Sequence, residues 1–327
     1  MRQVRWIMLS VVALVAVVAC KRMPLYDLEE RDIQLDLNLD LKLDVKLDLD
    51  VHVDVEIDTV IPTPEHMKVC FYDTETGALR YTEFVGPTGG LINTPAGQYD
   101  MVVYQFGTEY IQIRGEGYRN TLEAFTSDIT TTKDAALRGF TREGVEEPQG
   151  PIIYTPDHML ASRERVVIPE MSTESQSVTI HAEATDVVKT YGFWVKTVIG
   201  AEYIESCEAF ITNQARSSFF GRGEASTEPA TIWFPVGVDR QKGMLFTVFN
   251  TFGKLPGESR CYLHLLVRDT DGKEYRITED ITDDFEDPDH IIDVDEEIDV
   301  PEPESHGGGI APSVDPWDEE NTEVPIG

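Results

Sequence analysis

Between positions 35 and 57 every odd residue is Leu, Val or Ile and every even one is Asp, Asn, Lys, His or Glu, giving twelve apolar residues in unbroken alternation. Period-two text of this kind puts all apolar side chains on one face of an extended strand and the charged ones on the other. At about 3.3 Å per residue the run would reach roughly 75 Å, several times an ordinary strand of about five or six residues. It is therefore expected to be a tether whose last part, 51–58, becomes the first strand of the domain that follows. The alternatives are a strand added to another subunit's open edge, a hairpin or a bent strand. A slip of two residues preserves the buried face, so the register is weakly specified.

Beyond a Pro62-Thr63-Pro64 break, short apolar runs recur at 67–72, 81–85, 90–93, 98–106 and 110–114, with turn residues between them. Turns every 8–12 residues or so predict a β-sandwich rather than βαβ units. Residues 115–156 form a long polar connection, an excursion with short elements of its own or a loop, with weak helical character over 132–140. A strand at 163–168 closes the first module. The second is expected to begin near 175, with strands at 178–184, 191–198, 209–212, 231–235, 245–252, 262–268, 274–282 and 291–294. Asp269-Thr270-Asp271-Gly272 predicts a hairpin turn, and 200–206 a short helix.

The N-terminus reads as an address. Arg2 and Arg5 precede an apolar run over 6–19, too short for a bilayer of roughly 30 Å but suited to a signal peptide. The run ends Val17-Val18-Ala19-Cys20, which resembles the lipobox of bacterial lipoproteins and implies lipidation of Cys20. Several acyl chains on one residue anchor firmly where a single chain does not. Once Cys20 is used, Cys70, Cys207 and Cys261 remain, an odd number in an exported chain. Cys207 and Cys261 sit in strand-like text, where both separate burial and pairing across a sandwich remain open.

Asp and Glu outnumber Lys and Arg 60 to 27 in 327 residues, for a net charge of −33. The charge lies mainly at the ends: residues 27–58 carry −9 and residues 277–327 carry −19, with no Lys or Arg in the latter. Such a chain is not a nucleic-acid binder. The acidic stretches 283–289 and 293–297 suggest calcium ligation as the alternative to a solvated charged run. Residues 291–300 alternate enough for a last strand, and 301–327, rich in Pro and Gly, are expected to be extended or disordered.

Pro95-Ala96-Gly97-Gln98-Tyr99 resembles the turn that enters a strand in transthyretin-like sandwiches. Together with Tyr26-Asp27-Leu28-Glu29-Glu30, Met67-Lys68-Val69-Cys70-Phe71-Tyr72-Asp73, Tyr154-Thr155-Pro156-Asp157-His158, the segment 245–253 and the glycine-rich tail 307–317, it makes the chain similar to a Bacteroidales-type family of outer-membrane lipoproteins. That family is allied to anchor and accessory subunits of type V fimbriae. The resemblance implies an all-β fold of two tandem transthyretin-like β-sandwich domains, with an N-terminal lipidated strand or tether and an acidic C-terminal tail. The corresponding division is a signal peptide over 1–19, the tether over 20–58, sandwiches over 59–170 and 171–300, and the tail over 301–327. It also implies surface exposure in the outer membrane, although Lys21-Arg22 after Cys20 departs from the acidic export cue of such lipoproteins.

Chemistry is sparse. No nucleophile-elbow, zinc-protease or phosphate-loop motif is present, and Gly115-Glu116-Gly117 and Gly221-Arg222-Gly223 read as turns. Asp269 to Gly272 lacks a calcium loop's first and last ligands, because Val267 and Thr278 stand there. His181 and His264 alternate with strand residues and read as packed or surface histidines, and Asp157-His158 is a weak catalytic pair. The expected protein is non-enzymatic and without cofactor or metal. It would contact the membrane through lipid and a fimbrial or envelope subunit through sheet edges or a tip. A glycan stacked on Trp194, Trp233 or Trp317 is the alternative partner, and a stalk subunit cleaved after Arg31 the alternative role.

Overall fold

Alternating and β-branched text between Gly and Pro turns yields strands almost throughout. The computed structural model describes residues 30–43, 60–140, 148–170, 178–257, 259–286, 289–294 and 297–303. The first nine strands are β1 (Glu30–Leu39), β2 (Met67–Asp73), β3 (Leu79–Val85), β4 (Gly89–Pro95), β5 (Gly97–Gln105), β6 (Gln112–Arg114), β7 (Glu123–Phe125), β8 (Ile152–Tyr154) and β9 (Leu160–Ile168). The next seven are β10 (Val178–Asp186), β11 (Lys189–Val195), β12 (Val198–Ile199), β13 (Ile204–Ala215), β14 (Ser217–Phe219), β15 (Glu224–Ala225) and β16 (Pro229–Pro235). The last six are β17 (Gly237–Asp239), β18 (Met244–Thr251), β19 (Tyr262–Asp269), β20 (Glu274–Asp280), β21 (Ile291–Val294) and β22 (Ile298–Asp299). One α-helix, α1 (Thr130–Arg138), and three single 3-10 turns complete the described elements. The fold is all-β, as the pattern predicts.

The first sandwich is one seven-stranded sheet, ordered β3-β2-β5-β9-β10-β1-β4, that bends over itself. The bend lies between β9 and β10, which pair only at Ala161–Thr185 and Leu160–Asp186. Their separation divides the sheet into a four-stranded layer and a three-stranded layer. Val69, Phe71, Met101 and Val103 from one layer meet Ile33, Leu35, Ile92 and Ile180 from the other in a common core.

Two points depart from the sequence reading. The start of the alternating run, 35–39, forms the second half of β1 (Glu30–Leu39) in this sheet, while 51–58 lies outside the described residues. Val178–Asp186, read as opening the second module, is hydrogen-bonded to β1 and lies in the first sheet. Both follow from one cause. The three-stranded layer needs two strands with small or aliphatic residues on one face, and Ile33-Leu35-Leu37 and Ile180-Ala182-Ala184 supply them.

The second sandwich packs β20-β19-β13-β16-β8 against β17-β18-β11-β21, with the short pair β12-β22 alongside. Its core includes Phe193, Ile211, Phe234, Phe249, Leu265 and Ile292. On the outer face of the five-stranded sheet, Leu137 and Phe140 of α1 and its C-terminal turn cover Phe210 and Leu266. Asp269 makes the predicted hairpin turn: its Oδ1 accepts the backbone N–H of Asp271 at 3.0 Å and of Lys273 at 2.9 Å.

The long connection between β5 and β9 is an excursion with elements of its own. It supplies α1, then β8, which pairs in parallel with β16 of the second sandwich. It also supplies β6 and β7, which join β14 and β15 in a separate four-stranded sheet. That sheet belongs to both halves of the chain. Beneath it lies a third core, where Cys70, Tyr72, Val102 and Tyr104 from the outer face of the first sandwich meet Leu122, Met159, Val188, Ala215, Phe220 and Phe252.

Candidate subunit interface: the seated strand, the shared sheet and the open edges

β1 is held on both sides. It pairs in parallel with β10 from Ile33–Val178 to Leu39–Ala184, and antiparallel with β4 from Glu30–Pro95 to Asp36–Gly89. Ile33 and Leu35 are fully buried and Leu37 nearly so, while Leu39, Leu41 and Leu43 pack partly against the same core. Each fully buried aliphatic side chain is worth about 1.5–3 kcal/mol, so the three central residues contribute on the order of the stability of a small domain. The polar face meets solvent. Asp36 lies 3.4 Å from His181 Nδ1, both well exposed, and Gln34 Nε2 donates to Asp36 Oδ1 at 3.2 Å. Arg31 Nη1 donates to the carbonyls of Pro169 at 2.7 Å and Glu170 at 3.3 Å.

The divergence of β9 from β10 leaves a lateral opening. Beyond their two pairs, the backbone edges at 162–168 of β9 and 178–184 of β10 have no strand partner on that side among the described residues. A cavity of about 530 Å³ at this opening is lined by Asp36, Glu164, His181 and Glu183 among others, which gives it an acidic rim. β3, β4 and β20 are the other long edge strands. β20 alternates charged residues along its edge, with Arg276 and Arg268 both paired to Glu274 at 2.6 and 3.0 Å, a pattern that discourages indiscriminate strand addition. β3 instead exposes Phe84, which meets Phe106 edge to face at 5.4 Å.

Two polar clusters tie the excursion and the junction to neighbouring elements. Glu208 on β13 is largely buried and receives Lys133 Nζ from α1, Trp233 Nε1–H at 2.7 Å and Arg268 Nη1 at 2.9 Å. Burial works to raise its carboxyl, but the hydrogen bonds and charges of Lys133, Trp233 and Arg268 prevail and hold it below the usual range. At the junction, Asp186 Oδ2 lies 2.5 Å from His158 Nδ1, and its Oδ1 accepts the backbone N–H of Met159 at 3.1 Å and of Val188 at 3.2 Å.

The residues singled out in the sequence fall as follows. Cys20 and Trp317 lie outside the described residues. Asp157 and His158 act apart: Asp157 Oδ2 accepts the backbone N–H groups of Tyr110 and Ile111, and His158 turns to Asp186. Cys70, Cys207 and Cys261 are free thiols, each buried separately; burial raises all three, Cys261 to about 11. Trp194 is stacked on Phe246 at 4.6 Å. Trp233 carries Lys133 Nζ 3.9 Å over its ring and meets Tyr154 edge-on. His181 is a surface residue and His264 a packed one.

Residues 291–300 form β21 and β22 rather than one strand, and Asp293 pairs with Lys196. Among the described residues, no group of three or more His, Cys, Asp or Glu is placed to hold a metal ion, and no helix is long and apolar enough to cross a membrane. Of the shared sheet, only β6 falls in an expected run, 110–114; its assembly was not legible in the sequence. Its strands are two or three residues long, below what periodicity can register.

The chain belongs to the family described as "Domain of unknown function (DUF5119)", whose profile matches residues 41–235. Among curated proteins it is similar to the "Putative fimbrium anchoring subunit Fim4B" of Bacteroides ovatus, 26% identical over an alignment of 302 residues covering 80% of this chain and 85% of the relative. Among solved structures it shares its fold with a "putative adhesin from Bacteroides ovatus", at a TM-score of 0.57 and 22% identity, covering 87% of this chain and 97% of that one. The fimbrial anchor protein Mfa2 from Porphyromonas gingivalis matches at a TM-score of 0.46 and 13% identity, covering 80% and 88%. The resemblance drawn from the quoted motifs thus holds at the level of family.

Proposed function

We propose that this chain is a non-catalytic, fimbria-associated subunit of the cell envelope. In this reading it acts as an anchor or accessory subunit, retained at the surface face of the outer membrane by lipid on Cys20. The observation that carries the reading is the likeness to the fimbrium anchoring subunit, which extends over most of both chains and therefore over both sandwiches and the sheet that joins them. The geometry suits such a part. The described clusters of titratable groups tie elements to one another, as Glu208 and Asp186 do, while the lateral edges of β9 and β10 and the edge of β3 present backbone groups and apolar side chains outward. Partner contact through these edges follows from main-chain hydrogen bonding to an extended segment of another subunit.

The position of Arg31 bears on the stalk alternative. Arg31 is paired with Thr94 in β1 and its guanidinium is held by the carbonyls of Pro169 and Glu170. Cleavage after it would cut inside a seated strand. The tryptophans offer little to the glycan alternative, since Trp194 and Trp233 are half-buried and already stacked or covered.

Two measurements test the proposal. Mass spectrometry of the native N-terminus is expected to find an acylated Cys20, and a chain beginning at Asp32 would overturn the anchor. Crosslinked pull-down from intact cells is expected to recover a fimbrial or envelope subunit, and recovery of none would overturn the accessory role.

A further inference from the structure

The slot that holds β1 reads the alternation of the strand and hardly reads its identity. On the β4 side, Leu35 and Asp36 stand opposite Gly90 and Gly89. A Cβ on Gly89 would come within 2.0 Å of the Leu35 carbonyl oxygen, and Gly89 has φ +94, so the contact is backbone to backbone and indifferent to side chain. On the β10 side, the neighbours on the buried face of Leu35, Leu37 and Leu39 are Ile180, Ala182 and Ala184, and the small alanines do not distinguish one aliphatic residue from another. On the outward face, Asp36 meets Gln34 and His181 in exposed contacts.

Translation of the strand by two residues, about 6.6 Å, puts Leu35, Leu37 and Leu39 where Ile33, Leu35 and Leu37 now sit. Apolar replaces apolar in each seat, and Asp36, Asn38 and Asp40 replace Gln34, Asp36 and Asn38 on the wet face. Two further steps bring in Leu41 and then Leu43. The ladder of backbone hydrogen bonds repeats every two residues, so each step restores it.

Only the N-terminal end distinguishes the observed register. Arg31 Nη1 donates to the carbonyls of Pro169 and Glu170. After a shift, Ile33 would stand in the place of Arg31 and the two guanidinium bonds would be lost. We propose that β1 is a sliding strand: a set of two-residue registers in one slot, with Arg31 as the latch that selects the observed one. This proposal rests on the pairing of β1 and not on the fimbrial reading.

The test uses full-length chains in which His181→Cys is combined singly with Asp36→Cys or Asn38→Cys, followed by mild oxidation and quantification of the 36–181 and 38–181 crosslinks by peptide mass spectrometry. Position 36 lies opposite 181 in the observed register and position 38 after one step. A two-residue offset is too long for a disulfide, which needs Cα atoms closer than about 7 Å. With Arg31 intact, crosslinking at 36 should exceed that at 38 by about tenfold or more. Arg31→Ala should reduce that ratio at least tenfold. Adding Leu39→Asp should restore it, because one step would bury the new carboxylate in the seat of Leu37, whereas in the observed register it lies near the strand's end. An unchanged ratio with Arg31→Ala, a ratio that Leu39→Asp does not restore, or loss of both crosslinks would each overturn the sliding strand.

Discussion

Acidification should destabilise this protein through one buried imidazole on the outer face of the second sandwich. His264 on β19 is 1% exposed. Its Nδ1 lies 3.0 Å from Thr278 Oγ1, its Nε2 has no hydrogen-bond partner, and the Phe140 ring beyond α1 covers it at 4.9 Å between centroids. Desolvation disfavours the imidazolium and lowers the pKa from 6.5 to about 4. The sign follows from linkage. Above pH 6.5 the imidazole is neutral in both states and its contribution is complete. As pH falls from 6.5 towards 4 the unfolded chain takes up a proton that the folded chain refuses, and stability drops by about 1.4 kcal/mol per pH unit, about 3 kcal/mol in all. The assay is urea unfolding at a series of pH values from 7 to 4 for the parent and for His264→Gln. Carboxylates common to both cancel in the difference. The parent should lose about 3 kcal/mol more than the variant over this range, and NMR should find His264 neutral in the folded protein at pH 5. A stability difference that does not vary with pH, or an imidazole titrating near 6.5, would refute the reasoning.

Three further outcomes are expected. Glu208→Ala removes the acceptor shared by Lys133, Trp233 and Arg268 and should cost about 2–4 kcal/mol in chemical denaturation, with Glu208→Gln retaining part of that through Trp233. Because the Glu208 carboxyl is depressed, its share is present at neutral pH and lost as pH falls through the folded-state value. Gly150→Ala would set a Cβ 1.9 Å from the Pro229 carbonyl oxygen at φ +75, prising β8 from β16; a melting temperature lowered by several degrees is expected. Finally, Cys70, Cys207 and Cys261 should resist a thiol reagent at pH 8 in the folded protein and all react in denaturant, and a non-reducing gel should show no internal disulfide.

Much of the fold was legible because it is written in long alternating or apolar runs. The expected strands at 67–72, 81–85, 98–106, 262–268 and 274–282 fall within two residues of β2, β3, β5, β19 and β20. The placement of strands was not legible. Nothing local in 178–186 tells that Ile180, Ala182 and Ala184 complete the core of the first sandwich, because the partner that needs them, Ile33 to Leu37, lies some 145 residues away. The alternation that made β1 recognisable as a strand also hid which part of it is seated, since every window of the repeat satisfies the same rule. For the candidate interface, contact through sheet edges was expected, but which edges was not legible. Its open edges come from the divergence of β9 and β10, a property of sheet curvature that two hydrogen-bonded pairs decide.

The parallel pairing of β1 with β10 sets how the protein carries load. β1 begins at Glu30, and β10 leaves at Asp186 into β11 and the second sandwich. A pull between the N-terminal end of β1 and the second sandwich therefore acts on opposite ends of two parallel strands. It loads their seven register pairs in shear, all at once, instead of peeling them one by one. β4, antiparallel on the other flank, adds a second row that must give way at the same moment. A strand joined this way resists detachment far better than the same bonds in an unzipping hairpin, and a repeat of period two lets the joint close again after each slip.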